Sequence, residues 1–440
     1  MTNVIDPQFY PYFLVFFAVL MPLLLSFRMF PVIIYLVITK NLMDEPGDRS
    51  AHINRTPTLG GLGIFVAFTI PIIVLGLGSN FSQLDLLKLL SVISGGILLL
   101  FAGLKDDLVG LAPKKKIMVQ AVAAMIVILF TDVRIQSLYG LFGVGELPYL
   151  VSVALTLMAF VFVINAINLI DGVDGLAGTF SIIASLAYGL FFIVNGYYLS
   201  ALVSFVIIGA LLGFLRYNFS KTRKIFMGDS GSMFIGFLLV YQAICFLTCN
   251  TEIGTLYTFA NGPILFLATL SFPIIDTLRV FCIRIKQKRS PFSADRNHIH
   301  HRLLDLGFAP KQICAIIGLA NILVIGCAFM MGDLQITLQL VLIMAVILTV
   351  YLSPWLLVLD KDISLRLEKK IADNAHLPVG TMEALDIHTE QQYNDMLEKY
   401  NLRGYMQDTG KAQSMEERIS LLEKLMAKRL DVFKKLKKTE

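Results

Sequence analysis

The chain has 440 residues, a formal net charge of +5, only 16% charged residues and a mean hydropathy of +0.72. A soluble domain is about 25% charged, so this composition excludes an ordinary globular protein and describes a membrane protein with many spans. Lysines and arginines fall in blocks between apolar runs, which fits a cytosolic membrane face and not a nucleic-acid-binding surface.

Runs close to the about 20 residues needed to cross hydrocarbon are read as helices. They occupy 10–30, 59–78, 87–104, 117–131, 149–166, 177–194, 198–215, 232–249, 263–283, 312–331 and 336–359. The first follows Asp6 with no lysine or arginine before it, so it lacks the basic segment of a cleavable signal peptide. Residues 31–42 are also apolar and are expected to lie along the interface. Cys245, Cys249, Cys282, Cys314 and Cys327 lie in or beside apolar runs, form no metal-ligand spacing, and read as small buried residues.

The connections fall into two alternating sets. Segments 79–86, 132–148, 195–197, 250–262 and 332–335 hold a single basic residue, Arg134. The others are rich in lysine and arginine, from Lys40, Arg49 and Arg55 through Lys114, Lys115 and Lys116 to Arg296, Arg302 and Lys311. Positive charge stays inside, so the expected fold is an all-α polytopic membrane protein of eleven spans, with the N-terminus outside and the C-terminus cytosolic. Residues 360–440 are polar and rich in Glu and Lys. There "SMEERISLLEKLMAKRLDVFKKLKK" has helical apolar spacing, with Ser414 as cap and Glu417 three residues on. The expected division is therefore a transmembrane domain over 1–359 with cytosolic catalytic loops, and a cytosolic helical tail over 360–440.

Nearly every unusual polar stretch falls in the basic connections. Asp106 and Asp107 end the third run. Adjacent carboxylates repel unless a cation or base neutralises them, and "LAPKKK" follows at once. In "NAINLIDGVDGLAG", Asn165, Asn168, Asp171 and Asp174 recur every third residue, a spacing that stacks them along one side of a helix end. Amides and carboxylates are hard oxygen ligands suited to magnesium or manganese. Asp229 in "GDSG" opens a span, and on its own reads more readily as a helix cap than as a ligand. His298, His300 and His301 with Arg296 and Arg302 form a dense cationic knot. Its spacing is not that of a helical zinc site, and its composition favours phosphate binding or proton traffic over a metal centre.

Taken in order, "DRSAHINRTPTLGG", "DDLVGLAPKKKIMVQ", "NAINLIDGVDGLAG", "GDSGSMFIG" and "PIIDTLRV" through "RNHIHHRLLDLG" resemble the polyprenyl-phosphate N-acetylhexosamine-1-phosphate transferases. The resemblance covers about residues 10–359, and the "HIHH" form is similar to the branch that uses UDP-N-acetylglucosamine. It implies a glycosyl-1-phosphate transferase of the inner membrane, with its active site facing the cytosol. Such an enzyme moves a sugar 1-phosphate from UDP-N-acetylhexosamine to undecaprenyl phosphate and releases UMP, the first membrane step of a cell-envelope glycan pathway.

Residue by residue, the resemblance implies magnesium ligands at Asn168 and Asp229, overriding the capping reading. It implies a base for the lipid phosphate at Asp106, with Asp107 beside it orienting or sharing the proton. Asn165, Asp171 and Asp174 are expected in the nucleotide-sugar pocket, and Lys116, His298, His300, His301 and Arg302 on the phosphates. Homodimers are common in the family, but no motif here fixes one.

A secondary transporter would place its ionisable groups at mid-membrane in inverted repeats; neither is seen. A CDP-alcohol phosphatidyltransferase would need an AR pair after its DG, which "DGVDGLAG" lacks. The one-face reading is open to cysteine labelling. Cysteines placed near Thr222 and Ser290 are expected to react only from the cytosol, and one near Ser137 only from outside. Labelling near Ser290 from outside would overturn the orientation.

Overall fold

The computed structural model describes residues 10–40, 43–44, 56–79, 81–290 and 297–356, which are mostly helical. The chain divides into two units, Met1–Pro354 and Trp355–Glu440, and the bundle belongs to the first. The expected tail over 360–440 lies outside the described residues, as does most of the first polar loop.

The first helix, α1 (Tyr10–Thr39), runs unbroken for 30 residues through Pro22 and Pro31, so residues 31–39 continue the first span and do not form a separate interfacial segment. A two-residue antiparallel pair, β1 (Met43–Asp44) with β2 (Thr56–Pro57), precedes α2 (Gly60–Leu77). The next helices are α3 (Gln83–Val109) and α4 (Pro113–Thr131). Ser82 and Asp85 form a reciprocal capping box at the start of α3. The antiparallel hairpin of β3 (Ser137–Leu141) and β4 (Val144–Glu146) leads to α5 (Tyr149–Ile170), α6 (Leu176–Val194), α7 (Tyr198–Asn218) and α8 (Gly228–Asn250). Two short helices follow, α9 (Gly262–Thr269) and α10 (Ser271–Lys286), bent 71° from each other. The short α11 (Ile299–Asp305) and the long α12 (Pro310–Met330) and α13 (Ile336–Leu356) complete the bundle.

Among the described residues, nine helices are long and apolar enough to cross a membrane, and ten if α9 and α10 make one broken span. The difference from eleven lies in α4, whose first turn carries Lys114, Lys115 and Lys116 and whose apolar part is only residues 117–131.

The core is organised round α8, which packs against α2, α3, α5, α6, α7 and α9. Its sequence is apolar on every side, as a central helix requires, and 94% of its most apolar window is buried inside the protein, against 22% for α13 at the edge. Lipid is as apolar as leucine, so close packing, not water exclusion, holds such helices together. Small residues permit it: a Cβ on Gly236 would stand 2.8 Å from the Ile164 Cα of α5, and one on Gly96 of α3 would stand 2.7 Å from the Phe234 ring. Phe234 also meets Phe65 at 5.0 Å and Phe68 at 5.4 Å between ring centroids.

Several polar groups in the interior tie helices to one another. Ser204 of α7 donates to Gln242 of α8 at 2.8 Å, and Asn321 of α12 accepts from Ser271 at 3.2 Å and Tyr351 at 3.1 Å. Cys245, Cys249 and Cys314 are buried as expected; Cys282, on the outward side of α10, is exposed instead.

One contact sets the register of α3 against α8. Asp107 accepts the Asp229 backbone N–H at 2.7 Å, the Ser230 N–H at 3.2 Å and the Ser230 hydroxyl at 2.8 Å. The carboxylate thus caps a neighbouring helix, satisfying orphan donors where the dipole is positive. Gly228 makes room for it: its φ is +71°, and a Cβ there would lie 2.7 Å from Asp107 Oδ2. Asp107→Ala is expected to cost about 1–2 kcal/mol, the range for a lost N-cap, seen as a lower thermal midpoint in detergent. Asp107→Asn keeps one acceptor and should lose less. A wild-type midpoint for the alanine variant would show that α8 does not depend on this cap.

Candidate active site

The C-terminal ends of α3 and α5 and the N-terminal ends of α4 and α8 meet at one end of the bundle. The lysine run opens α4 behind Pro113, whose ring suits a first helical turn. This places Lys116 one turn in, where its side chain reaches across to three other helices. Its ammonium lies 3.0 Å from Asp106 Oδ2, 2.8 Å from Asp229 Oδ2 and 3.4 Å from Asn168 Oδ1. Asn168 in turn donates its amide to Asp229 Oδ1 and, at 2.8 Å, to the Ser232 hydroxyl. Asp106 Oδ1 accepts the Leu111 backbone N–H at 2.7 Å, which ties the α3–α4 turn to the same carboxylate. Four residues from three motifs and four helices therefore form one hydrogen-bonded cluster.

The register of four polar residues in "NAINLIDGVDGLAG" divides in the structure. Asn168 faces the cluster. Asn165 turns to α4, donating to Gln120 Oε1 at 2.7 Å, and serves as an interhelical amide pair. Asp171 caps the end of α5, and its carboxylate has no hydrogen bond or ion pair with a described residue. Burial, with the charges of Asp229, Asp107 and Asp174 added to it, pushes Asp171 well above the usual carboxylate range. Asp174 lies in the turn before α6, where Lys224 donates to its Oδ2 at 2.6 Å while its Oδ1 is buried without a partner among the described residues.

The histidine group sits against this turn. His300 is buried, and its Nε2 would lie 2.9 Å from a Cβ on Gly172, so only glycine fits between Asp171 and the imidazole. The His298 and His300 rings are stacked at 5.3 Å, and His301 lies 4.4 Å from His300. The expected cationic knot needs one correction. Burial, then the neighbouring His301 and His298, hold His300 well below the usual histidine range, so it is a neutral imidazole at pH 7.

Beneath the group lies a residue that the sequence reading did not single out. Asp276 of α10 is wholly buried and contacts His298 Nδ1 at 2.8 Å. Asp276, His298 and His300 also offer ligand atoms within 4.8 Å of one another. The signal was present, since Asp276 is the single charged residue between 262 and 278 in an apolar stretch. Lys224, Ser232 and Gln120 were likewise missed as partners, because only the fold shows which polar residues face one another.

Three oxygens converging on one ammonium describe a place built for positive charge. Asp106 and Asp229 bring two negative charges against the one positive charge of Lys116. Asp107 is satisfied separately by backbone donors. The excess negative charge and the hard-oxygen donor set of Asn168, Asp229 and Asp106 fit a divalent cation such as magnesium.

The chain is also similar to known proteins. Residues 89–247 match glycosyl transferase family 4, a segment that contains Asp106, Lys116, Asn168, Asp171, Asp174 and Asp229 and ends before Asp276 and the histidines. The chain is 31% identical over 291 residues to the undecaprenyl-phosphate alpha-N-acetylglucosaminyl 1-phosphate transferase of Salmonella typhi, covering 65% of this chain and 75% of that one. It is 34% identical over 301 residues to the decaprenyl-phosphate N-acetylglucosaminephosphotransferase of Mycobacterium tuberculosis, covering 62% and 71%. With the probable undecaprenyl-phosphate N-acetylglucosaminyl 1-phosphate transferase of Bacillus subtilis it shares 30% over 322 residues, 72% of this chain and 85% of that one. The order of the motifs, the helices that carry them and these similarities together make this chain a member of glycosyl transferase family 4, among its polyprenyl-phosphate N-acetylhexosamine-1-phosphate transferases.

Proposed function

We propose that the protein transfers N-acetylglucosamine 1-phosphate from UDP-N-acetylglucosamine to undecaprenyl phosphate, as the first membrane step of a cell-envelope glycan pathway. The observation that carries this reading is the cluster of Asp106, Lys116, Asn168 and Asp229 at one end of an apolar bundle. A site at a helix end can take a nucleotide sugar from water and a lipid from the bilayer. The names of the relatives supply the substrates.

In this reaction an oxygen of the lipid phosphate attacks the β-phosphorus of the nucleotide sugar. The bond from that phosphorus to the α–β bridging oxygen breaks, and its electron pair leaves with UMP. The sugar C1–oxygen bond stays intact. Asn168 and Asp229 would hold magnesium, with manganese as a substitute, and the bound cation supplies positive charge against the crowded phosphate oxygens. Asp106 would take a proton from the lipid phosphate. The need is partial, since a phosphate monoester has a second pKa of about 6. Asp107 acts through α8, holding the backbone that carries Asp229.

Lys116 sets a permanent cation beside the transferring group. His298, His301 and Arg302 complete the phosphate-holding side, with His300 as a neutral donor or acceptor, and Asn165, Asp171 and Asp174 belong to the nucleotide-sugar pocket. The same proposal places eleven spans in the inner membrane by counting α4 and the α9–α10 pair. The N-terminus is then outside, the C-terminus and active site face the cytosol, residues 360–440 are an accessory cytosolic tail, and two chains associate as a homodimer.

Two experiments test it. With UDP-N-acetylglucosamine labelled with ³²P at the β position, label is expected on the lipid and UMP as the nucleotide product. Label leaving with the nucleotide would mean glycosyl transfer with UDP release, and the mechanism would be wrong. Asp229→Asn and Asn168→Ala each remove one oxygen ligand from a site that keeps waters. Activity should fall sharply, and the magnesium concentration for half-maximal rate should rise. Normal activity with an unchanged magnesium response would return Asp229 to a capping role.

A further inference from the structure

The buried carboxylate of Asp276 is the least explained charge in the described structure. It sits on α10 just past the 71° break, fully enclosed, in a stretch that is otherwise apolar. An isolated buried carboxylate is costly unless both oxygens are engaged. Here they are. Oδ2 contacts His298 Nδ1 at 2.8 Å. Oδ1 accepts the Ile299 backbone N–H at 2.8 Å, the first N–H of α11. Arg279, one turn along α10, brings an Nη1 within 3.8 Å of the same oxygen. One carboxylate thus starts α11 and fixes the ring that precedes it.

An ionised carboxylate only accepts hydrogen bonds. The proton between Asp276 and His298 therefore resides on Nδ1, and the nitrogen free for other work is Nε2, which no described residue engages. From there the contacts run toward the nucleotide-sugar side. His298 stacks on His300, and His300 rests against Gly172 between Asp171 and Asp174. Asp276 is thus the fixed end of a chain of contacts that runs through His298 to His300 on the "DGVDG" turn.

We propose that Asp276 is a positioning residue for phosphosugar transfer: it locks His298 in the Nδ1–H form so that Nε2 is presented to a phosphate of the nucleotide sugar. This rests on the assignment of the histidine group to the phosphates made above. A metal centre made of Asp276, His298 and His300 is the rival. It fits less well because Nδ1 to Oδ2 at 2.8 Å is a hydrogen-bond distance, Oδ1 is already committed to Ile299, and Arg279 stands beside it.

The test is a double-mutant cycle on full-length enzyme in detergent, with UDP-N-acetylglucosamine and undecaprenyl phosphate. Asp276→Asn keeps the volume and one acceptor for Ile299, but loses the carboxylate that dictates the tautomer. It is expected to lower kcat/KM for the nucleotide sugar about 10–100-fold, the usual cost of removing such a partner. KM for the lipid should be unchanged. In a His298→Ala background the same change should cost almost nothing more, and in His298→Gln, whose amide needs no tautomer control, it should also have little effect. Additive losses would overturn the positioning role.

Wild-type activity for His298→Ala would instead overturn the phosphate assignment of His298, a separate failure. A measurement on unsubstituted protein guards against poor folding of the variants. Nitrogen NMR of ¹⁵N-histidine-labelled enzyme should show His298 protonated at Nδ1, with the signal identified by its loss in His298→Gln. A neutral ring protonated at Nε2 overturns the proposal, as does stoichiometric zinc in purified enzyme that Asp276→Asn removes.

Discussion

The ammonium of Lys116, held by Asp106, Asp229 and Asn168, is the interaction on which the site's architecture depends. Close packing holds the apolar lengths of the helices together, and the charged groups fix their ends. A charge cluster does not tolerate sliding. Two carboxylates near the membrane boundary repel across a low dielectric, and separating them from their cation leaves buried charge uncompensated. The ends of α3, α4, α5 and α8 are therefore fixed against one another by a single side chain long enough to reach all of them. Asp107 adds a second constraint of another kind, since it binds backbone and so fixes the axial position of α8 itself. The two adjacent aspartates divide the work: one meets the cation, the other holds the helix that brings a third carboxylate to it.

The active end has two halves with different chemistry. One is anionic and built on long helices, with Asp106, Asp229 and Asn168 round Lys116. The other is built on the bent α9–α10 pair and the short α11, with Asp276 beneath His298 and His300. They touch through Gly172, where the absence of a side chain lets His300 approach the turn that carries Asp171 and Asp174. The family match ends before the second half, at residue 247. This division suits a reaction between two phosphorylated substrates. Carboxylates attract cations, whereas imidazole and guanidinium groups can bind phosphate oxygens directly.

Much of this was legible in the sequence, for reasons that differ by element. The helices were visible because membrane spans are long uninterrupted apolar runs, and their order along the chain survived intact. Lys116, Asp106 and Asn168 stood out because charge and amide beside such runs is costly without a use, whereas Asp229 read as a helix cap until the resemblance implied a ligand. The pairing of those groups was less visible. Three-residue spacing placed Asn165 and Asn168 on one helix, but Asn165 meets Gln120 while Asn168 meets Asp229, a choice made by the crossing of α4, α5 and α8. Asp107 looked like a partner of its neighbour, and its role as a cap on α8 could not be read from adjacency. His300 looked cationic in a string of basic residues, and burial makes it neutral. In each case the missing information was a tertiary contact, which periodicity along one chain does not carry.

The distribution of polar groups also bears on what the bundle is for. In α7 and α8, the two most enclosed helices, the charged residues are Arg216 and Asp229, each at a helix end. Their middles hold neutral polar groups, such as Ser204 bonded to Gln242. A transport pathway would need ionisable or water-bearing groups at mid-depth, where an ion or solute has to be carried past the hydrocarbon. Here the mid-depth polar groups tie helices together. The charged groups of these two helices stand at their ends. A bundle so arranged never has to move charge through its centre, and so it can keep that centre rigid, packed on α8, as a fixed frame for groups whose spacing at the end determines the chemistry.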